Sequence, residues 1–252
     1  MPDTYVHDPE IHRTKDAELI VPVLMELFNP KSVLDIGCGP GAFLKVFEDN
    51  GITDLKGIEG SWLDQSKLLI DKDRIVIADI EKGFTLQKKF DIAICLEVAE
   101  HIRESYAGQL VTALTTHSDV IIFSAAIPAQ GGQNHVNEQW IGYWRDLFAA
   151  RGFMMYDMIR PRIWEIKNIY WWYRQNMVVC INSSVQHKFE NGPVYNYIHP
   201  ELYVSKIAEL HAYRQWIDKI FSGQIDVEIA EAILANAKKA HSSPTSTEDK
   251  HR

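Results

Sequence analysis

Residues 33–44 read Val33-Leu34-Asp35-Ile36-Gly37-Cys38-Gly39-Pro40-Gly41-Ala42-Phe43-Leu44. A short apolar run passes into alternating glycines, and a stretch with helical apolar spacing follows. Glycine permits a tight turn and lets a ligand approach the backbone, while the helix start presents free N–H groups. Working outward, Ser32–Ile36, Asp54–Ile58, Arg74–Ala78, Phe90–Leu96 and Asp119–Ser124 are short, continuous, Val/Ile-rich runs. Such runs suit strands covered on both faces. Between them Pro40–Asn50, Ser61–Ile70 and Ala99–His117 carry helical spacing. This alternation predicts an α/β fold with a doubly wound, mostly parallel sheet. Glu138–Arg151 then reads as a helix, and Phe153–Arg160 and Gln175–Ile181 read as strands. The last two complete a Rossmann-like sheet of seven strands with a late antiparallel hairpin.

The flanks read differently. Residues 1–16 are polar and expected to form a loose arm before a helix over Ala17–Phe28, with Pro22 in its first turn or at a kink. The core domain is expected over 17–182. A helical extension over 183–240 follows, with helices at Pro200–Phe221 and Val227–Ala240. Its role as lid, homodimer contact or stabilising cover is open at this stage. Residues 241–252 are Ser/Thr/charged and expected to be a disordered tail. The 252 residues carry 26 Lys+Arg against 34 Asp+Glu, a net charge of −8, which argues against a nucleic-acid partner. Three cysteines cannot staple a chain of this size and are expected as free thiols. No stretch suits a signal peptide or a membrane span, so a cytoplasmic protein without a membrane partner is expected.

The glycine turn fits two cofactor classes. Gly37, Gly39 and Ala42 satisfy the dinucleotide spacing, and Glu59 follows at about the 20-residue interval of an acid that accepts ribose hydroxyls. Asp35 separates the two classes. A carboxylate near a pyrophosphate is repulsive, whereas S-adenosylmethionine has no phosphate and its methionine end is net cationic. Asp35 therefore favours adenosylmethionine over NAD, unless it only braces the loop.

The stretches VLDIGCGPGAFL (33–44), GIEG (57–60), IADI (77–80) and FDIAICLEVAEHI (90–102) resemble the class I S-adenosylmethionine-dependent methyltransferases, over about Ser32 to Ile181. The resemblance implies S-adenosyl-L-methionine as cofactor and S-adenosyl-L-homocysteine as product. It places Gly37 and Gly39 beside the methionine portion, Glu59 on the ribose and Asp79 on the adenine amino group. Ile80 can lie on the adenine face. Asp35, Cys38, Gly60, Leu96 and Glu97 complete the expected cofactor residues. A later segment, GGQNHVNEQWIGYWRDLF (131–148), is similar to a narrower group that often accompanies glycan or natural-product biosynthesis.

Acceptor candidates follow the fifth strand, because ligands bind beyond the carboxyl ends of parallel strands. His135 is the expected general base and His101 the second candidate, since imidazole titrates near neutral pH. Asn137, Glu138, Trp140, Tyr143, Trp144 and Trp164 are the expected acceptor-binding residues. Each has a plainer reading. Asn137 and Glu138 suit a helix start, and the aromatics, with Trp171, Trp172 and Tyr173, suit a core or a dimer interface. Glu97, Glu100 and His101 share a helix face if that helix starts early. No metal is expected, because His12, His101, His117, His135 and His187 lack paired ligand spacing. The expectation is an O-methyltransferase acting on a small-molecule, glycan or peptide acceptor. Carboxylate methyl-ester formation, N-methylation, a non-catalytic cofactor-binding protein and an NAD-dependent oxidoreductase are the alternatives.

Overall fold

The computed structural model describes Tyr5, residues 13–187, 189–190 and 192–225, and Ile229 and Glu231. Most of the expected arm, most of the helix over Val227–Ala240 and the whole tail 241–252 lie outside the described residues.

In chain order the elements are α1 (Lys15–Phe28), β1 (Ser32–Ile36), α2 (Ala42–Asp49), β2 (Asp54–Glu59), β3 (Ile75–Ile77), β4 (Ile92–Leu96), α3 (Ala107–His117), β5 (Val120–Ser124), α4 (Ile141–Ala149), β6 (Phe153–Tyr156), α5 (Arg160–Ile163), α6 (Trp171–Asn176), β7 (Val178–Asn182) and α7 (Pro200–Phe221). One seven-stranded sheet has the order β3-β2-β1-β4-β5-β7-β6. The pairs from β3 to β5 are parallel, and β7 runs antiparallel to both β5 and β6. The chain works outward from β1 to β3 and then returns to β4 on the other side of β1. That reversal opens a crevice beyond the ends of β1 and β4, the usual ligand position in such sheets.

Continuous apolar strands follow from burial on both faces. Every residue of β1 is buried. Leu34, Ile36, Ala93 and Cys95 join Leu110, Leu114, Trp144 and Phe148 on one face. Val33, Ile92 and Ile94 join Ile20, Leu24, Leu44 and Phe47 on the other. Side chains alternate across a strand, so neighbouring residues feed opposite layers.

Several element boundaries differ from the sequence reading. Ser61–Ile70 forms no α-helix, only a 3-10 turn at Gln65–Lys67. Asp64 Oδ1 accepts hydrogen bonds from Ser66 N–H and Oγ–H at 3.0 and 2.6 Å, local bonds that compete with a helix. Leu69 N–H is held by the Pro40 carbonyl at 2.9 Å. Ala99–His117 begins with 3-10 turns at Ala99–His101 and Glu104–Tyr106, and the α-helix starts only at Ala107. Extended backbone at Ile102 separates the turns from one another. Arg103 beyond it is held by Glu81, which accepts from its N–H at 2.9 Å and its guanidinium at 2.6 Å.

The expected strand Phe153–Arg160 stops at Tyr156, because Arg160 turns inward onto Asp157 and the Gln175 carbonyl. Gln175 and Asn176, expected to start a strand, end α6 instead. The first helix begins at Lys15 and carries Pro22 in its interior.

Compact units divide the chain between His199 and Pro200, beyond the expected boundary at Asn182. Segment 192–199 stays with the sheet unit for identifiable reasons. Arg160 donates to the Tyr195 carbonyl at 3.1 Å, His199 N–H donates to Gln175 Oε1 at 2.7 Å, and the Trp164 ring packs on Tyr197 and His199. The second unit contains α7, on which Tyr203, Val204, Leu210, Tyr213, Ile217 and Phe221 are exposed. No described helix is long and apolar enough to cross a membrane.

Candidate active site

The glycine turn after β1 needs its glycines. Gly37, Gly39 and Gly41 have φ of 78°, 53° and 90°, in the left-handed region. A Cβ at Gly37 would also overlap the Val98 side chain. Glu59, at the end of β2, braces this turn from the side. Its Oε2 accepts from Gly39 N–H and its Oε1 from Gly60 N–H, each at 2.7 Å. Asp35 is buried beside it, and burial, then the Glu59 charge, raise its carboxyl well above the usual range. The Trp62 indole covers Gly60 so closely that a Cβ there would overlap the ring.

A cavity of about 310 Å³ opens here. Asp35, Gly37, Cys38, Glu59, Trp62 and Ile80 line it. So do Glu97, Glu100, His101, Gln130 and His135, and the aromatic residues Trp171, Trp172 and Tyr173. Glu97 sits at a left-handed φ of 53° directly after β4. Its carboxylate accepts from Gln130 Nε2 at 3.0 Å and Asn176 Nδ2 at 3.1 Å, and Gln175 Nε2 donates to Asn176 Oδ1 at 2.9 Å. Burial raises the Glu97 carboxyl, and these hydrogen bonds work against that rise. Burial, then repulsion from Glu97, raises Glu100 further. Glu138 accepts a hydrogen bond from His135 Nδ1 at 2.8 Å. Acid outweighs base along the cavity: Asp16, Asp35, Glu59, Glu97 and Glu100 face only one guanidinium, Arg13, among the described lining residues.

A family model described as a methyltransferase domain matches residues 11–176. The chain belongs to that methyltransferase family. No curated protein matches the sequence at a significant level. Among solved structures, a sugar N-methyltransferase from a Streptoalloteichus species has a TM-score of 0.54 at 15% identity, over 72% of this chain and 98% of that one. DesVI of Streptomyces venezuelae has 0.52 at 14% identity, over 70% and 99%. An amino pentose methyltransferase of Micromonospora echinaspora, involved in calicheamicin biosynthesis and solved with S-adenosylmethionine, has 0.50 at 15% identity, over 72% and 99%. At these identities the likeness is one of fold.

S-adenosylmethionine is the methyl donor of this methyltransferase, and the cavity suits it. An acid-lined space beside a glycine-rich turn suits a ligand carrying a sulfonium and an ammonium better than a pyrophosphate. The NAD alternative fails on the methyltransferase family match. The structure gathers Asp35, Gly37, Cys38, Glu59, Ile80, Leu96 and Glu97 around the cavity. Gly39 and Gly60 serve it through their bonds to Glu59. Asp79 lies outside the lining: its Oδ1 accepts from Glu81 N–H at 3.1 Å and its other oxygen pairs with Lys82 at 3.2 Å.

On the acceptor side the methyltransferase departs from the sequence reading. His101 and His135 line the cavity, but Asn137, Glu138, Trp140, Tyr143, Trp144 and Trp164 do not. Trp144 is wholly buried among Phe123 and Phe148. Tyr143 packs against that core, Trp140 flanks the start of α4, and Trp164 packs on Tyr197 and His199. Asn137 is no helix cap, because α4 starts at Ile141, and its N–H binds the Glu100 carbonyl at 3.0 Å. Glu138 holds the Gly-Gly loop instead, accepting from Ala129 and Gly131 N–H at 2.7 and 2.6 Å. Trp62 and Gln130 are among the cavity residues that the sequence reading missed. Trp171, Trp172 and Tyr173 stood out there only as part of an aromatic-dense stretch, which could not separate wall from core.

Proposed function

We propose that this methyltransferase moves the methyl group to a hydroxyl oxygen of a small molecule or sugar. The observation that carries the reading is the His135–Glu138 pair at the cavity edge. With Nδ1–H donated to Glu138, the lone pair of the imidazole stays on Nε2. A fixed tautomer of this kind suits a general base. S-adenosylmethionine supplies a methyl on a sulfonium, so the leaving group needs little help. The residues do the rest. Glu59 and the glycine turn position the cofactor end, and Trp171, Trp172 and Tyr173 cover the acceptor and exclude water. Alignment at roughly 3–3.5 Å is the main demand. In its simplest form the reading gives the hydroxyl proton to His135 Nε2, with His101 beside it.

N-methylation is the second reading, because two of the similar folds are an N-methyltransferase of sugars and a methyltransferase of an amino pentose. A panel of hydroxyl, amino and carboxyl acceptors, read by mass spectrometry, separates the readings. Product on hydroxyl acceptors alone is expected, and product confined to amines would replace the proposal. Tight cofactor binding with no product on any acceptor would instead favour a non-catalytic binding protein. His135→Ala is expected to lower turnover by about 10²–10⁴-fold with cofactor affinity retained. A rise in acceptor KM alone would reduce His135 to a binding residue.

A further inference from the structure

We propose that Glu100, His101 and His135 hold a divalent transition-metal cation, of the zinc or manganese type, at the acceptor end of the cavity. One ligand atom from each lies within 4.8 Å of the other two. All three residues line the cavity. Glu100 is only 1% exposed, and its Oε2 has no hydrogen-bond partner among the described residues. No Lys or Arg pairs with it there. A buried carboxyl oxygen without a donor, next to a second carboxyl in Glu97, is costly unless a proton or a cation meets it.

His135 supplies the second, independent observation. A metal-binding imidazole characteristically donates its other ring N–H to a carboxylate. His135 does so through Nδ1 to Glu138, which turns Nε2 into the available donor atom. The backbone enforces the arrangement. Val136 and Asn137 N–H both bind the Glu100 carbonyl, at 2.8 and 3.0 Å, so the loop after β5 is fastened to the turn after β4. The two imidazoles then meet edge to face, with centroids 5.0 Å apart. Sequence spacing conceals this, since His101 and His135 are 34 positions apart. Two imidazoles and one carboxylate suit zinc, manganese or iron better than magnesium, which prefers oxygen ligands.

The proposed use of the cation rests on the O-methylation reading. An acceptor hydroxyl on the open side of the ion becomes more acidic. Its proton passes to solvent, the carbon–oxygen bond forms as the carbon–sulfur bond breaks, and the bonding pair stays on sulfur. His135 then acts as ligand, and the ion takes over the activation assigned above to the imidazole.

The test uses the full chain after dialysis against a chelator. Calorimetry with Zn²⁺, Mn²⁺ and Mg²⁺, and visible absorption with Co²⁺, read binding without any turnover. One equivalent of Zn²⁺ or Mn²⁺ is expected, tighter than Mg²⁺. Glu100→Gln and His101→Ala should each weaken it by about 100-fold or more, and Glu138→Gln by about 10–100-fold. A cooperative thermal melt and a far-UV circular dichroism spectrum like the native chain's show that each variant is folded, and His101→Ala carries the test if Glu100→Gln is not. Millimolar or weaker binding of every ion, or binding indifferent to these variants, overturns the site. Hydroxyl methylation at full rate after chelation overturns the cation and leaves the O-methylation reading standing. Tight, variant-sensitive metal binding without any hydroxyl product keeps the cation and removes that reading.

Discussion

Glu59 works through both carboxylate oxygens. One holds the Gly39 amide and the other the Gly60 amide, so the side chain ties the glycine turn to the end of β2. Glu59→Ala should weaken adenosylmethionine by about 1–3 kcal/mol by calorimetry, the usual cost of losing charge-assisted hydrogen bonds. Unchanged affinity would reject its assignment to the cofactor. Glu59 was legible in sequence because a strand end at a set distance from a glycine turn leaves little freedom. Asp79 was equally legible, and it also starts the 3-10 turn Ile80–Lys82.

At the scale of elements, two tryptophans make the distinction between wall and core measurable. Trp144, on α4, is wholly buried, whereas Trp172, on α6, lines the cavity. Trp144→Ala should cost about 3–5 kcal/mol in urea unfolding. Trp172→Ala should change stability far less and raise acceptor KM. Equal losses of stability would mean that α6 is core after all. Helical spacing was a good guide to α2 and α4, which pack one face on the sheet. It misled at 61–70, where Asp64 and Ser66 satisfy the backbone locally and Leu69 is drawn to Pro40. Apolar spacing records which side chains are buried, and a turn can bury them as well as a helix.

Across the whole molecule, the Glu81–Arg103 pair joins the turn after β3 to the segment after β4. Burial pushes the Glu81 carboxyl up, but hydrogen bonds, those from Arg103 foremost, outweigh it and bring it from 4.5 to about 2. A lowered carboxyl stabilises the fold above its ordinary value and loses that contribution as pH falls through the folded one. The stability difference between the native chain and Glu81→Gln should therefore be full above about pH 5 and fade toward about pH 2. Thermal melts across that window check it, and a constant difference would refute the role. The division at His199 belongs to this scale as well. Arg160 and Gln175, from the sheet unit, hold 195–199 by backbone bonds that no composition shift announces.

The sheet, the glycine turn and the acid at the end of β2 could be read from the sequence without the fold. Those features are local: a strand, a turn and a helix start lie within a dozen residues, and their chemistry travels with them. Which aromatic and histidine side chains line the cavity was settled only by the tertiary structure. Which tryptophans face the cavity depends on how α4 and α6 seat against the sheet. That Glu100, His101 and His135 converge depends on two backbone hydrogen bonds between distant loops. Side chains 34 positions apart become neighbours only when the parallel strands carrying their loops lie side by side, as β4 and β5 do.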